Sequence, residues 1–155
     1  MLILAGKSGC GKTLAMRKTS AYLIAARTAA ADLAHWPSPP STHWENWPAL
    51  ARSVSEGGKD AHMRDLMRDT MDADILFLDD VGADSDKYRS GETVDALCQL
   101  LNRREKRWTM ITTNFIPSEW AKQLDARVAD RFWRNSVVCD LSDSPSYALK
   151  PGGVK

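Results

Sequence analysis

Short apolar runs alternate along the chain with longer segments in which apolar residues recur every three or four positions. Runs typical of buried strands, apolar or β-branched, cover residues 2–5, 75–78, 108–112 and 136–141, with a shorter candidate at 43–47. Helical spacing or helix-forming composition covers residues 13–31, 48–56, 60–72, 94–101 and 126–134, and Pro117-Ser118 indicates a further helix start. Strands that alternate with helices predict a parallel sheet covered by helices on both faces.

A glycine-rich loop follows the first predicted strand. Its sequence is Gly6-Lys7-Ser8-Gly9-Cys10-Gly11-Lys12-Thr13, and Leu14 continues into the first helix. This spacing between a strand and a helix is the pattern of a phosphate-binding loop, in which glycines let successive N–H groups face phosphate oxygens. In that pattern Lys12 reaches the β- and γ-phosphates and the Thr13 hydroxyl is a ligand of Mg²⁺. We therefore predict that residues 6–14 bind a nucleoside triphosphate.

Acidic and amide side chains follow two later strands of the predicted sheet. Asp79 and Asp80 come directly after the apolar run 75–78, and Asn114 follows the strand at 108–112. The carboxyl ends of parallel strands meet at the crevice where ligands bind, so these side chains are expected beside the phosphates. We predict that Asp79 holds Mg²⁺ through its water shell and that Asp80 orients or deprotonates the attacking water. Asn114 would position that water, or is an ordinary turn residue before Pro117.

Three arginines share one face of the last predicted helix. Arg127, Arg131 and Arg134 are spaced at i, i+4 and i+7, whereas Val128 and Phe132 point about 100° away and are expected in the core. One interpretation is a solvated face with an Asp130–Arg134 pair. The other is an arginine finger, a guanidinium supplied to the γ-phosphate of a neighbouring subunit.

Length and composition indicate one globular domain with no global signal for nucleic acid. The 155 residues are 43% hydrophobic and 26% charged, with a net charge of +1 and a pI near 7.7, so any DNA contact must come from a local patch. No apolar run approaches the ~18 residues of a membrane span, and no secretory leader is recognisable. Cys10, Cys98 and Cys139 match no metal or disulfide pattern and fit a reducing cytosol. We predict a cytoplasmic protein with a core domain over residues 1–142 and a loose tail over 143–155.

Four motifs occur in one order and together resemble a known family. They are the loop at 6–13, Leu78-Asp79-Asp80-Val81-Gly82, Thr112-Thr113-Asn114 and Arg127-Val128-Ala129-Asp130-Arg131. This set is similar to the DnaC/IstB-like branch of the AAA+ ATPases, the helicase loaders and transposition helper ATPases, over residues 2–147. Residues 86–89 and Ser146-Tyr147 also resemble helicase loaders.

The resemblance implies an α/β P-loop NTPase fold of the AAA+ type, expected here without a C-terminal lid domain. It makes Asn114 the sensor-1 residue and Arg131 the arginine finger, with Arg127 beside it. It also implies ATP-dependent homo-oligomers with the active site between subunits. Such proteins bind single-stranded or duplex DNA and act on a replicative helicase or another DNA-bound protein.

Three departures from the family pattern bear on activity. Only five residues precede the loop, where loaders carry a segment that grips the replicative helicase. Asp80 stands where Glu is commoner, and its shorter reach predicts slow hydrolysis that oligomerisation or DNA stimulates. The region after Tyr147 contains Lys150 but no arginine that could serve as a sensor-2 residue.

Our leading hypothesis is an ATPase that resembles helicase loaders and couples ATP to protein assembly on DNA in replication. The alternatives are a nucleotide-gated binding module with little hydrolysis, an IstB-like transposition helper and a small-molecule kinase. Candidate DNA contacts are the basic cluster 103–107, Lys87, Arg89, Trp36, Trp44 and Trp47. Basic residues at a helix C-terminus and buried tryptophans are also ordinary structural features.

Overall fold

The structure, a computed structural model, describes residues 1–34, 40–56, 61–83, 91–134 and 136–146, with only the backbone of 30–34. The strands are β1 (Leu2–Ala5), β2 (Thr42–Asn46), β3 (Ile75–Val81), β4 (Trp108–Thr113) and β5 (Val137–Asp140). The helices are α1 (Lys12–Ala34), α2 (Trp47–Ser55), α3 (Ala61–Asp72), α4 (Glu92–Arg103), α5 (Trp120–Gln123) and α6 (Ala126–Arg134). A 3-10 turn, Pro117–Glu119, leads into α5. Every predicted strand and helix is present, which confirms the α/β prediction.

The five strands form one parallel sheet in the order β2-β3-β4-β1-β5. Ala5 of β1 and Val81 of β3 both lie opposite Thr113 of β4. The carboxyl ends of three adjacent strands are therefore level. The glycine-rich loop and Asn114, which follow β1 and β4, and the two aspartates, which are among the last residues of β3, are therefore at one edge of the sheet.

The sheet separates two apolar layers. Alternate strand residues such as Leu76, Leu78 and Ile111 join the larger layer, in which Trp47, Leu50, Leu97 and Phe132 of α2, α4 and α6 are buried. Their neighbours Ile75, Phe77 and Met110 join a smaller layer with Met16 of α1. Helices thus cover both faces of the sheet, as the alternation of the sequence predicts.

Several sequence predictions concern the tryptophans and the chain ends. Trp47 is 1% exposed in the core and Trp44 stacks on Phe77 with ring centroids 5.5 Å apart, so packing accounts for both. Trp36, Lys87, Arg89, Tyr147, Lys150 and most of the predicted tail lie outside the described residues. The described residues end shortly after β5 without a helical lid domain, and none of their helices is long and apolar enough to span a membrane.

Candidate nucleotide site

The loop after β1 turns at its glycines and continues directly into α1. Gly9 and Gly11 have φ angles of 81° and 93°, in the left-handed region that side chains with a Cβ rarely adopt. The helix begins with a hydrogen bond from the Ala15 N–H to the Gly11 carbonyl, 2.9 Å long. The loop therefore lies at the N-terminus of a helix of 23 residues, whose dipole favours bound anions.

Lys12 extends from the start of α1 back across this loop. The residue is 5% exposed, and its Nζ donates to the carbonyl oxygens of Gly6 at 2.8 Å and Lys7 at 2.9 Å. The same Nζ donates to Oδ1 of Asn114 at 2.9 Å and lies 3.8 Å from the Sγ of Cys10. The structure thus joins the first and third sequence motifs, which are 102 residues apart in the chain.

Asp79 lies at the end of β3, where two hydroxyl groups donate to its carboxylate. The residue is 6% exposed, and Oδ1 accepts from the Thr13 hydroxyl at 3.1 Å and from the Thr112 hydroxyl. The Oγ1 of Thr112 in turn accepts from the Asp80 N–H at 2.9 Å. The fully buried Thr112 therefore orients both aspartates, a role that our sequence reasoning did not assign to it.

The oxygen atoms of Thr13 and Asp79 have the chemistry and spacing of a magnesium site. Mg²⁺ binds oxygen ligands at ~2.1 Å in an octahedron, so two adjacent ligands are separated by about 3.0 Å. The observed separation of Thr13 Oγ1 and Asp79 Oδ1 is 3.1 Å. The donor set therefore fits Mg²⁺.

Asp80, next to the last residue of β3, has an unusual backbone conformation for a residue in a strand. Its φ is 60°, and the pairing of β3 with β4 shifts register between Leu78 and Val81. Burial and the neighbouring Asp79 carboxylate raise the pKa of Asp80, while Lys12 and a hydrogen bond from Asn114 oppose that rise. The bulge turns its carboxylate toward the loop side, and its raised pKa makes it a stronger base than an exposed aspartate.

The arginines of α6 lie away from this cluster. Arg131 lines a small cavity with Met1 and Thr109, which are near the starts of β1 and β4, whereas the glycine-rich loop follows the end of β1. In the described residues no hydrogen bond or ion pair joins Arg127 or Arg131 to Lys12, Asp79 or Asn114. A single chain therefore brings together the first three motifs and leaves the fourth apart.

The basic cluster 103–107 does not form one exposed surface. Arg104 is 3% exposed and its guanidinium is bonded inside the fold, so it is not a DNA contact as the sequence suggested. Arg103 and Arg107 both contact the Asp72 carboxylate, at 3.3 and 3.6 Å. Lys106 is also exposed, and no described acidic residue forms an ion pair with it.

Comparisons with known proteins agree with this geometry. The sequence profile of the AAA family, the ATPase family associated with various cellular activities, matches residues 2–138, whereas no curated protein matches the chain. Among solved structures, domain III of the replication initiation protein DnaA from Thermotoga maritima has a TM-score of 0.66 at 18% identity, covering 91% of this chain and 54% of that one. The DnaC helicase loader has a TM-score of 0.63 at 16% identity, with 90% and 76% covered. DnaI has a TM-score of 0.60 at 26% identity, with 90% and 71% covered.

These likenesses confirm the fold and the family resemblance read from the motifs. The chain spans about two fifths of the first DnaA structures that it resembles, such as the AMPPCP-bound protein from Aquifex aeolicus, of which it covers 39%. The profile match extends from β1 to β5, and the residues of three family motifs converge at one edge of the sheet. The chain therefore belongs to the AAA family of ATPases, a family of nucleotide-binding proteins.

Proposed function

We propose that this protein binds and hydrolyses ATP at the edge where β3, β4 and β1 end, and that it works as a homo-oligomer. The observation that carries the proposal is the cluster of Lys12, Asp79, Asp80 and Asn114 around one glycine-rich loop. A buried ammonium, two acids and an amide fit a triphosphate, its metal ion and an attacking water.

Each side chain has a distinct task in this proposal. The N–H groups of residues 7–14 and the ammonium of Lys12 bind the phosphates, which compete with the Gly6 and Lys7 carbonyls for that ammonium. Thr13 and Asp79 hold Mg²⁺, which neutralises phosphate charge when bound. Asp80 accepts the proton of the attacking water, and Asn114 orients that water toward the γ-phosphorus.

Arg131 completes the site from a neighbouring subunit. Three arginines share the face of α6, but Arg127 is bonded to the carboxylates of Asp125 and Asp95, and Arg134 is bonded to Asp130. Arg131 has no carboxylate partner among the described residues, so its charge is the one available to a γ-phosphate. This distribution of partners agrees with the family resemblance, which gives Arg131 the finger role.

We propose a role in DNA replication, in which ATP-driven assembly places another protein, such as a replicative helicase, on DNA. The likeness to DnaC, DnaI and DnaA supports this class of task. We further propose that the protein binds single-stranded or duplex DNA and that it is located in the cytoplasm. The core boundary at residue 142 stays a prediction.

The first experiment measures steady-state phosphate release by the wild type and by Lys12→Ala, Asp79→Ala and Arg131→Ala. We expect Lys12→Ala to lose ATP binding, and Arg131→Ala to bind ATP normally but release phosphate at background rate. Exposed Arg64→Ala on α3 serves as the matched arginine control. Unchanged turnover in Arg131→Ala would contradict the finger assignment.

The second experiment measures molar mass by light scattering with ATP, with ADP and without nucleotide, each with and without single-stranded DNA. Assembly that needs ATP, and that Arg131→Ala weakens, is the expected result. A monomer in every condition would refute the shared-site proposal.

A nucleotide-gated binding module is the second candidate. It is favoured by Asp80, whose short side chain is hydrogen-bonded to Asn114 in the same cluster. This candidate predicts ATP-dependent assembly with turnover no faster than that of Asp79→Ala. Phosphate transfer to an added nucleoside without phosphate release would instead indicate a kinase.

A further inference from the structure

Arg127 and Arg131 of α6 are both bonded to side chains of α4. Arg131 donates from Nε to Oδ1 of Asn102 at 2.7 Å and from Nη1 to the Arg127 carbonyl at 2.6 Å. Arg127 donates from Nη1 to Oδ1 of Asp95 at 2.6 Å and from Nε to Asp125 at 3.0 Å. Two arginine side chains, one turn apart on α6, therefore bind side chains of α4.

The bonds of Arg131 fix its guanidinium plane but leave most of its donors free. A guanidinium carries five N–H bonds, of which these contacts use two. The Nη2 amino group has no recorded partner in the described part of the chain. Asn102 thus holds the guanidinium at Nε and leaves the outer amino group open to another acceptor.

The chemistry of the two acceptors differs in a way that matters for an anion. Asn102 is neutral and binds Arg131 without cancelling its charge. Arg127 is held by carboxylates, and its hydrogen bonds to Asp125 and then Asp95 raise its pKa. The charge of Arg127 is therefore paired with two acids, and its backbone carbonyl accepts a hydrogen bond from Arg131.

We propose that Asn102 is a positioning residue for catalysis in the neighbouring subunit, since it presents the Arg131 guanidinium in a fixed orientation. This inference rests on the proposed function, in which Arg131 acts across a subunit interface. It adds a residue of α4 that lies outside all four sequence motifs. The helix that follows β3 in the chain thereby sets the orientation of the arginine used by the next active site.

A preorganised arginine matters because catalysis depends on charges already aimed at the transition state. Removing one hydrogen bond from a charged donor while keeping the arginine is expected to lower turnover by about 3- to 10-fold, as such a bond contributes modestly in an exposed setting. Arg131→Ala removes the charge itself and is expected to cost about 10³-fold or more. Asn102→Leu should thus fall between the wild type and Arg131→Ala.

The first test compares Asn102→Leu with Asn102→Gln. Glutamine keeps a neutral carbonyl oxygen that can accept from Nε, whereas leucine has none. We expect Asn102→Leu to lower kcat with an unchanged KM for ATP, and Asn102→Gln to keep most of the wild-type kcat. Gln99→Ala, an exposed change on the same helix, should have no effect.

The second test asks whether the effect crosses the interface. Asn102→Leu is mixed with Asp80→Asn, which is expected to bind ATP without hydrolysing it and keeps an intact Arg131. Asn102→Leu subunits should regain turnover, because their sites receive Arg131 from the Asp80→Asn subunits. Mixing instead with the double variant Asp80→Asn, Arg131→Ala should restore nothing.

The outcomes separate the inference from the proposed function. Normal turnover in Asn102→Leu, or a loss that mixing does not restore, would overturn the positioning role while leaving Arg131 as the finger. Normal turnover in Arg131→Ala, or no wild-type hydrolysis, would instead overturn the proposed function. Because Asn102 is exposed, Asn102→Leu should fold, and circular dichroism checks that it does.

Discussion

Arg104 makes the most extensive set of hydrogen bonds of any side chain in the described fold, and we predict that even lysine cannot replace it. The residue follows α4 and is 3% exposed. Its guanidinium donates to the carbonyls of Thr70, Met71, Ala73 and Trp108 and to the hydroxyl of Thr109, over 2.7 to 3.2 Å. The first two carbonyls belong to the last turn of α3, where helix carbonyls lack partners within the helix.

The expected cost follows from how these acceptors are distributed. A lysine ammonium is a point donor, so in Arg104→Lys it can serve the carbonyls at the end of α3 or the Trp108 carbonyl and Thr109 hydroxyl at the start of β4, but not both. Two buried acceptors would lose their partner, and an unpaired buried acceptor costs about 1–3 kcal/mol. We therefore expect Arg104→Lys to lower the free energy of unfolding by about 2–4 kcal/mol, and Arg104→Met by about 3–5 kcal/mol. Domains of this size have only ~5–15 kcal/mol in total.

Urea unfolding followed by circular dichroism and tryptophan fluorescence measures this change. The matched control is Arg103→Lys, whose exposed side chain forms an ion pair with Asp72 at 3.3 Å and should change stability by less than about 0.5 kcal/mol. Burial lowers the pKa of Arg104 to about 10, which leaves it charged at neutral pH. An Arg104→Lys variant as stable as Arg103→Lys would show that the planar arrangement of guanidinium donors does not matter, and our interpretation would be wrong.

Three further predictions concern the strand ends around the nucleotide site. Because burial and Asp79 raise the pKa of Asp80, the folded chain binds a proton there at a higher pH than the unfolded chain, so stability rises as pH falls through that raised pKa. Asparagine tolerates the positive φ at this position. Asp80→Asn should therefore have a higher melting temperature than the wild type at pH 7 and should lose hydrolysis, and a lower melting temperature would contradict this reasoning. Gly82→Ala should lower the free energy of unfolding by about 2–4 kcal/mol, because φ is 88° and the new Cβ would lie 2.6 Å from Phe115 Cε2. A variant as stable in urea as the wild type would contradict this close contact. Thr112→Val keeps the shape of the side chain but removes the hydroxyl that orients both aspartates. It should lower kcat about 10-fold or more, with a smaller change in the ATP affinity measured by titration. An unaltered kcat would show that Thr112 does not take part in the site.

Local patterns predicted the fold because each element depends on neighbouring residues. The run at 75–78 marked a buried strand, and the structure extends it to Val81 through a bulge that apolar pattern does not reveal. The predicted helix at 13–31 is present as Lys12–Ala34. The glycine-rich loop was recognisable because its glycine positions follow from backbone geometry alone.

Contacts between distant residues could not be predicted in this way. Thr112 orients Asp79 from 33 residues away, and Arg104 binds two carbonyls in the last turn of α3, which are also more than 30 residues earlier in the chain. The basic cluster 103–107 therefore suggested DNA contact, although its Arg104 is buried. Nothing in the sequence indicated the contact between Asn102 and Arg131 either, because the two residues lie on different helices.

The charge balance of the site explains why a second subunit is expected to take part. Among buried or half-buried side chains at the loop, the carboxylates of Asp79 and Asp80 face one ammonium, that of Lys12. A triphosphate adds several negative charges, so the site needs positive charge beyond Lys12 and Mg²⁺ when charge moves to the leaving phosphate. Arg131 is the arginine of α6 without a carboxylate partner in the described chain, yet it lies near the starts of β1 and β4, toward the opposite edge of the sheet from its own loop. In the proposed function another copy brings Arg131 to the phosphates, so hydrolysis should follow the concentration of assembled protein instead of the concentration of chains.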